Sequence, residues 1–261
     1  NEGTALIGMH PFATQIILTE NSPEFGGFGS PVPMIESSKG GADILSGIGI
    51  NAAANNNRAV GVKWMAGEKS YMDDVKYVGG HGTMSKPKPR DPNAPSMPPH
   101  FWFMMQQRMS TPSNPELEYG KDLAWDTQHW SLWVTDGGGG TFNNIWTADT
   151  YASTGFYASH TSTPSKVYAM SLAHHVRFEC RLNDVHNWKF YAMQFEEESR
   201  EGRDCQAMTA DNCSNLRFSN LWFYRVIRVA TPRQYAMLVS NSSNIEIRGI
   251  RKWTKIITPY E

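Results

Sequence analysis

The pattern of apolar and polar positions repeats three times between residues 187 and 255. The segments begin Asn187-Trp-Lys-Phe, Asn215-Leu-Arg-Phe and Asn244-Ile-Glu-Ile, and their starts lie 28 and 29 residues apart. Each segment continues in an apolar–polar alternation that is typical of β-strands. A repeat of this length built on short strands predicts a solenoid, because each unit buries its apolar face only against its neighbours. We therefore interpret the stretch as three coils of a parallel β-helix, with an antiparallel sandwich as the alternative.

Aligning the repeats on their asparagines predicts which side chains are neighbours. Residues at equal offsets in a parallel stack lie about 4.8 Å apart on adjacent strands. The aligned pairs are Gln194 with Trp222, Glu196 with Tyr224, and Glu197 with Arg225. An acid, an aromatic ring and a base side by side predict a sugar-binding surface. The asparagines themselves are expected at a matching corner of each coil, in a left-handed or tight-turn conformation.

Short alternating runs bounded by Gly, Asn or Pro fill most of the remaining chain, without a long helical pattern. They are Ala5–Gly8, Gln15–Leu18, Met34–Glu36, Ile44–Ile50, Ala59–Trp64, Met72–Val78, Gln128–Asp136, Thr141–Trp146 and Val176–Leu182. Residues 151–170 are expected to form a connection rich in Ser and Thr. The sequence thus predicts one all-β domain over residues 1–261, a right-handed parallel β-helix in the form of a single-stranded solenoid.

Residues 84–124 depart from this pattern and are predicted to be a long irregular insertion. They contain eight prolines and the aromatic run His100-Phe-Trp-Phe-Met-Met. Irregular segments of this length usually have a function or are disordered. The aromatic and Met content favours packing against the flank of the β-helix, where the insertion would form one wall of a groove. A surface excursion or an oligomer contact is the alternative.

Composition narrows the choice of partner. The formal net charge of −1 gives no electrostatic reason to expect nucleic acid or an anionic membrane as a partner. Nine tryptophans favour a carbohydrate, since sugars stack on exposed aromatic rings. No apolar run reaches 18 residues, so we expect no membrane insertion. The turn-rich composition suits a secreted, periplasmic or cell-surface protein. Since solenoids need capped ends, we expect flanking segments of a longer chain or partner subunits to complete this one.

The positions of the cysteines allow one disulfide. Cys205 and Cys213 flank a polar loop and could form a disulfide in an oxidising compartment. Cys180 lies in a strand-like run and is expected to be a buried thiol. No spacing of Cys or His typical of zinc sites is present, and we predict no metal site and no cofactor.

Several runs resemble those of a known protein group. They are Gly61–Trp64 with Ala66-Gly67, Asp73–Val75 with Gly79–Thr83, Ser131–Phe142, His174–Arg177, and Asn187-Trp188 through Gln194 to Glu198. The chain resembles bacterial secreted proteins of the pectate-lyase superfamily, related to glycoside hydrolase family 28 and akin to the β-helical β-1,3-glucanases of family 55. The resemblance covers most of the chain outside residues 84–124. It implies a right-handed parallel β-helix and a polysaccharide ligand. The clustered catalytic aspartates of family 28 are not plainly present, which argues against galacturonan hydrolysis.

Glycoside hydrolysis needs two carboxyl groups, one of which acts as an acid. The richest cluster is Glu196, Glu197 and Glu198, in which Glu196 and Glu198 share one strand face and Glu197 takes the other. Adjacent like charges raise the pKa of at least one carboxyl group, as a general acid requires. The alternative is a solvated acidic corner paired with nearby arginines. Asp136 is the candidate second carboxylate, although an aspartate before a glycine turn is also ordinary turn chemistry.

The predicted ligand-binding residues are aromatic, basic or imidazole side chains. They are Trp130, Trp133, Tyr157, His174, His175, Tyr224 and Arg225. The function expected first is a glycoside hydrolase acting on a β-glucan. The second hypothesis is a polysaccharide lyase. It would use a base near Tyr224 and Arg225, and calcium would neutralise the carboxylate of a uronate. The third is a non-catalytic glycan-binding or structural module of a surface assembly.

Overall fold

The computed structural model describes residues 3–53, 55–78, 129–148, 150, 152–173, 175–197, 205–225 and 234–254. These residues form nineteen β-strands and, within the described ranges, no α-helix. The strands make two sheets of twelve and seven strands, which we call sheet A and sheet B, and their pairing is parallel throughout. The predicted insertion at residues 84–124 lies outside the described residues. Among the residues described, no helix is long and apolar enough to cross a membrane.

The strands are numbered in chain order. Sheet A contains β1 (Ala5–Ile7), β2 (Gln15–Ile17), β4 (Ile44–Ser46), β5 (Gly49–Asn51), β7 (Tyr71–Asp73), β8 (Lys76–Val78), β10 (Gly140–Asn143), β11 (Trp146–Ala148), β13 (Ser165–Ala173), β15 (Trp188–Glu197), β17 (Ser214–Arg225) and β19 (Ser243–Thr254). Sheet B contains β3 (Val32–Glu36), β6 (Ala59–Trp64), β9 (Trp130–Val134), β12 (Thr154–Thr161), β14 (Phe178–Val185), β16 (Gln206–Asp211) and β18 (Met237–Ser240).

The chain visits the two sheets in turn, and each return adds a strand parallel to the previous one. In the C-terminal half, for example, β13, β15, β17 and β19 are successive neighbours in sheet A, while β14, β16 and β18 are neighbours in sheet B. In the N-terminal half each visit to sheet A consists of two short strands. The runs Ile44–Ile50 and Met72–Val78, each expected as one strand, are therefore divided into β4 with β5 and β7 with β8.

A left-handed residue separates the two short strands of each of these pairs. In the longer strands a left-handed residue at the equivalent position bends the strand without interrupting it. The φ angle is 56° at Ala192 in β15 and 57° at Asn220 in β17. The bend resets the alternation of side chains, since Phe190 is buried, Ala192 is exposed and Met193 is buried again. The predicted alternation therefore does not continue unbroken through this position, because period-two alternation holds only while the backbone stays extended.

The predicted asparagine corner is confirmed. Asn187, Asn215 and Asn244 have φ angles of 66°, 55° and 52°. The amide Nδ2 of Asn215 donates to Oδ1 of Asn187 at 3.0 Å, and Nδ2 of Asn244 donates to Oδ1 of Asn215 at 2.6 Å. Asparagine tolerates the left-handed region better than most residues. Its amide also carries a donor and an acceptor, so it links each of these segments to the next.

The core consists of side chains stacked in register from strand to strand. One column of sheet A contains Leu45, Met72, Phe142, Val167, Phe190 and Phe218, all buried. The rings of Phe190 and Phe218 stack with their centroids 4.7 Å apart. This separation equals the spacing of neighbouring strands, so identical side chains at equal offsets pack face to face.

The segment at residues 151–170, expected as a connection, contains β12 and the first part of β13. The expectation was wrong because buried hydroxyl groups find partners in neighbouring parallel segments of the chain. Ser159 donates to the Thr135 hydroxyl at 3.0 Å, and Thr161 donates to the carbonyl of Gly138 at 2.6 Å. Ser and Thr can therefore occupy buried strand positions here, although their polarity suggested a loop.

The three cysteines are buried thiols, and none forms a disulfide. Strand β16 runs between Cys205 and Cys213, so the two residues lie at opposite ends of an extended segment. At about 3.3 Å per residue, six strand residues separate them by roughly 20 Å, far beyond the reach of a disulfide. Cys180 is buried as expected. Burial raises the pKa of its thiol well above the usual range, with smaller contributions from Cys213 and Glu179.

Candidate functional site

A cavity of about 440 Å³ opens on the outer face of sheet A, near the carboxyl ends of its last strands. It is lined by Gln194 and Glu196 of β15, Trp222 and Tyr224 of β17, and Trp253 of β19. We call it the Glu196 cavity. The strand register pairs Gln194 with Trp222 and Glu196 with Tyr224, as the alignment of the asparagines predicts. These residues face outward because the bend at Ala192 reverses the alternation before them.

Three aromatic side chains form one side of this cavity. The rings of Tyr224 and Trp253 are stacked, with centroids 4.5 Å apart and an angle of 16° between their planes. Trp222 contacts Tyr224 edge to face at 6.4 Å. Trp222 and Trp253 remain 47% and 40% exposed. A solvent-facing aromatic cluster beside polar groups offers stacking surfaces and hydrogen bonds to the same ligand.

Trp253 was missed by the sequence reasoning, although a signal was present. It pairs with Tyr224 in the register of β17 and β19. The offset between Tyr224 and Trp253 is the same as that between Asn215 and Asn244. Extending the alignment to the third repeat would therefore have placed Trp253 beside Tyr224.

Glu196 is the acidic residue of the cavity. Its side chain is half-buried, and Oε2 accepts a long hydrogen bond of 3.4 Å from Nε2 of Gln194. Both side chains can therefore present oxygen or nitrogen atoms to a ligand in the cavity. Glu198 lies outside the described residues.

Glu197 and Arg225 point the other way, into the interior. Nε of Arg225 donates to Oε2 of Glu197 at 2.7 Å, and both side chains are buried. The register pairs the two residues as the alignment predicts, and Glu197 opposes Glu196 as alternation predicts. Their position makes them a support beneath the cavity, and neither side chain lines it.

Asp136 lies far from Glu196. It occupies a turn between β9 and β10, with φ of 51°. Strand β10 pairs with the start of β13 at Ser165, whereas Glu196 pairs with Ala173 at its end. Eight strand residues at about 3.3 Å each, shortened by the bend, give a separation of roughly 20 Å. The structure therefore does not bring these two carboxylates together.

Asp136 belongs instead to a second corner at which left-handed residues stack. This corner contains Asp136, His160, Asp184, Asn212 and Asn241. Oδ2 of Asp184 lies 3.0 Å from Nδ1 of His160, and Oδ1 lies 3.1 Å from Nε2 of His186. Hydrogen bonding to His160, and then to His186, lowers the pKa of the Asp184 carboxyl group. Equal spacing from Asp136 to His160 and from His160 to Asp184 was the signal in the sequence.

Trp130, Trp133 and Tyr157 come together on sheet B, not at the Glu196 cavity. The ring of Trp130 lies 4.6 Å from that of Trp133 and 4.5 Å from that of Tyr157. Lys63 Nζ is 5.4 Å from the Trp133 ring centre, and the Arg181 guanidinium is 5.2 Å from that of Tyr157. All three aromatic side chains are half-buried. Cation–π contacts stabilise this cluster as part of the fold.

His175 lies in the interior. Its Nδ1 contacts a carboxylate oxygen of Glu179, and its Nε2 lies 3.0 Å from the Thr147 hydroxyl. The thiol of Cys205 also contacts Glu179, at 3.5 Å. Both ring nitrogens thus have partners inside the protein, so the ring is not presented to a ligand. His174 lies outside the described residues.

In the described ranges, no three His, Cys, Asp or Glu side chains are arranged to hold a metal ion. No protein-family model matches this chain, and no curated protein matches it.

Proposed function

We propose that sheets A and B are faces of a right-handed parallel β-helix. The alternating visits to the two sheets and the in-register columns support this fold. Connections between parallel strands of one sheet are right-handed in about 98% of cases, which supports the hand. The resemblance of the sequence to the pectate-lyase superfamily implies the same fold.

We propose that the chain is an extracellular carbohydrate-active protein that binds a polysaccharide at the Glu196 cavity. The observation that carries the proposal is the exposed stack of Tyr224 on Trp253, with Trp222 at its edge. Keeping large aromatic rings in water is unfavourable, at roughly 25 cal/mol for each Å² of apolar surface. Sugar rings cover such surfaces with their C–H faces while their hydroxyl groups bond to neighbours such as Gln194 and Glu196.

Hydrolysis is the reaction that we propose first. Glu196 supplies one carboxyl group, and the second must lie about 5 to 10 Å away. Glu197 points inward and Asp136 is remote, so our candidate partner is Glu198, which lies outside the described residues and for which the sequence alternation predicts the face of Glu196. A neutral β-glucan remains the first substrate to test.

Two other functions are alternatives to hydrolysis. A lyase would use Tyr224 as its base, because Arg225 is buried with Glu197, and it would draw on calcium to neutralise a uronate. A non-catalytic glycan-binding module is favoured by a different observation. Glu196 is the single carboxylate among the described residues that line the cavity.

Glycan binding and product release from one panel of polysaccharides test these proposals together. We expect Trp253→Ala to weaken binding about tenfold, by analogy with the loss of one stacking platform. Tyr168→Ala is the matched control, since Tyr168 stacks on Tyr191 in the same sheet but lies outside the cavity. Equal affinity in wild type and Trp253→Ala would overturn the proposed site.

The reaction is read from new reducing ends and from the ultraviolet absorbance of unsaturated uronates. Reducing ends without that absorbance, lost in Glu196→Gln with binding intact, are expected for a hydrolase. Absorbance would establish a lyase. Binding without either product would establish a binding module.

A further inference from the structure

A second cavity of about 410 Å³ lies beside the Glu196 cavity on the outer face of sheet A. Its lining includes Ala192, Gln194, Asn220, Trp222 and Arg251. We call it the Arg251 cavity. Gln194 and Trp222 line both cavities, so the exposed indole of Trp222 stands at their shared boundary. Two adjacent cavities that share an aromatic wall are suited to successive residues of one chain-like ligand.

The floor of the Arg251 cavity is the bend in sheet A. Ala192 and Asn220, both left-handed, are neighbours there, and Gly249 takes the same position on β19. A left-handed alanine is an uncommon conformation. The small side chain of Ala192 leaves space over the backbone that a longer side chain would fill.

Opposite charges distinguish the two cavities. Arg251 of β19 pairs in register with Trp222 and is exposed. No carboxylate in the described part of the chain forms a salt bridge with it. Arg217 and Arg248, on the same sheet, are both paired with Glu246. Arg251 is thus a cation at a cavity, next to a cavity that contains the carboxylate of Glu196.

We propose that the two cavities are adjacent subsites for a polysaccharide in which acidic and neutral residues alternate. This inference rests on the proposed glycan binding, and it names an alternating polymer, in place of a neutral β-glucan, as the preferred ligand. The acidic residue binds in the Arg251 cavity, where the guanidinium forms paired, charge-assisted hydrogen bonds to a carboxylate or a sulfate ester. The neutral residue binds in the Glu196 cavity, since an anion there would face a like charge. Trp222 lies between the two subsites and therefore fixes which sugar residue occupies each of them.

Calorimetry with four defined oligosaccharides tests the inference. The probes are hyaluronan fragments (alternating uronate and neutral sugar), κ-carrageenan fragments (alternating sulfated and neutral sugar), oligogalacturonate (every residue acidic) and laminarin fragments (neutral). At least one alternating ligand should bind more tightly than the other two classes, and the better of the two identifies the anionic group. Arg251→Gln should weaken binding of that ligand about tenfold or more and weaken binding of laminarin far less, because laminarin has no anionic group.

Arg248→Gln is the matched control, because it removes an exposed cation of the same strand outside both cavities. It should leave the affinities for all four ligands unchanged. Glu196→Gln should strengthen binding of oligogalacturonate by removing the like charge from the neutral subsite.

The outcomes separate the inference from the proposed function. Laminarin binding as tight as that of the alternating ligands, or equal effects of Arg251→Gln and Arg248→Gln, would overturn the inference and leave glycan binding intact. Oligogalacturonate that binds as tightly as the alternating ligands in wild type would overturn the assignment of the neutral subsite. Failure of all glycans to bind would overturn the proposed function as well.

Discussion

Arg225 and Glu197 form a buried ion pair one residue away from the proposed glycan surface. The bond from Nε to Oε2 is 2.7 Å long, and the side chains are 2% and 1% exposed. Each residue directly follows a residue of the Glu196 cavity, Tyr224 or Glu196, on the opposite face of its strand. The pair therefore joins β15 to β17 immediately beneath the cavity. Removing two charges from water costs free energy that only close pairing offsets.

Replacing one partner of this pair should destabilise the fold strongly. We expect Arg225→Met to lower the free energy of unfolding by about 3 to 5 kcal/mol, because it removes the guanidinium that donates to a buried carboxylate. The double variant Glu197→Leu with Arg225→Met should recover most of that loss. Urea unfolding measures both. Arg217→Met breaks an exposed pair with Glu246 on the neighbouring strands and should lower the stability far less, because solvent screens exposed charges. A double variant as unstable as the single one would contradict this account.

Two variants of Asn215 should separate the contribution of backbone conformation to stability from that of hydrogen bonding. Asn215 has φ of 55° and hydrogen bonds to both Asn187 and Asn244. Asn215→Gly keeps access to the left-handed region and loses the amide, whereas Asn215→Ala loses both. We expect stability to fall in the order wild type, glycine variant, alanine variant. The free energy of unfolding of the alanine variant should lie about 1 to 2 kcal/mol below that of the glycine variant, as measured by thermal unfolding. An alanine variant at least as stable as the glycine variant would show that the φ angle does not matter.

Gly155 should not tolerate a methyl group. A Cβ atom there would lie 2.3 Å from Cε1 of His175, whose ring is held by Glu179 and Thr147. Gly155→Ala should therefore destabilise the protein by about 1 to 3 kcal/mol, the usual cost of overpacking a core. Gly26→Ala is the control, since its nearest neighbours would be at an ordinary 3.5 Å. Equal unfolding midpoints for the two variants would refute the proposed packing of His175.

Acidification should remove the contribution of Asp184 to stability. The folded-state pKa of this carboxyl group is lowered, first by its hydrogen bond to His160 and then by that to His186. A depressed pKa means that the ionised form stabilises the fold above the ordinary aspartate value near 3.9, and that this contribution disappears as the pH falls through the folded-state pKa. Asp184→Asn should thus be less stable than wild type near pH 6, and the difference should shrink towards about pH 2.

Thermal unfolding as a function of pH measures that difference. Asp136→Asn is the matched control, because it removes a carboxylate at the same corner, one coil away from His160. A gap between wild type and Asp184→Asn that stays constant down to the lowest pH would argue against the linkage.

The arrangement of neighbours at the site followed from the sequence. The pairs Gln194 with Trp222, Glu196 with Tyr224 and Glu197 with Arg225 were all obtained from the spacing of the asparagines. This succeeded because a parallel stack in constant register places equal offsets side by side. The prediction failed at residues 151–170, where the Ser- and Thr-rich composition was taken to indicate a loop. A hydroxyl group's partner on a neighbouring parallel segment cannot be identified from the sequence of one segment alone.

By itself, the sequence determined the all-β, parallel, repeating character of the chain and the order of side chains within each column. Only the tertiary structure decided the face on which each column lies. The left-handed bend at Ala192 and Asn220 resets the alternation, so it turns Trp222 outward and sends Arg225 inward. The structure also separated Asp136 and the Trp130 cluster from Glu196. Their distances depend on which strand, sheet and corner each residue occupies, and spacing along the chain does not contain that information.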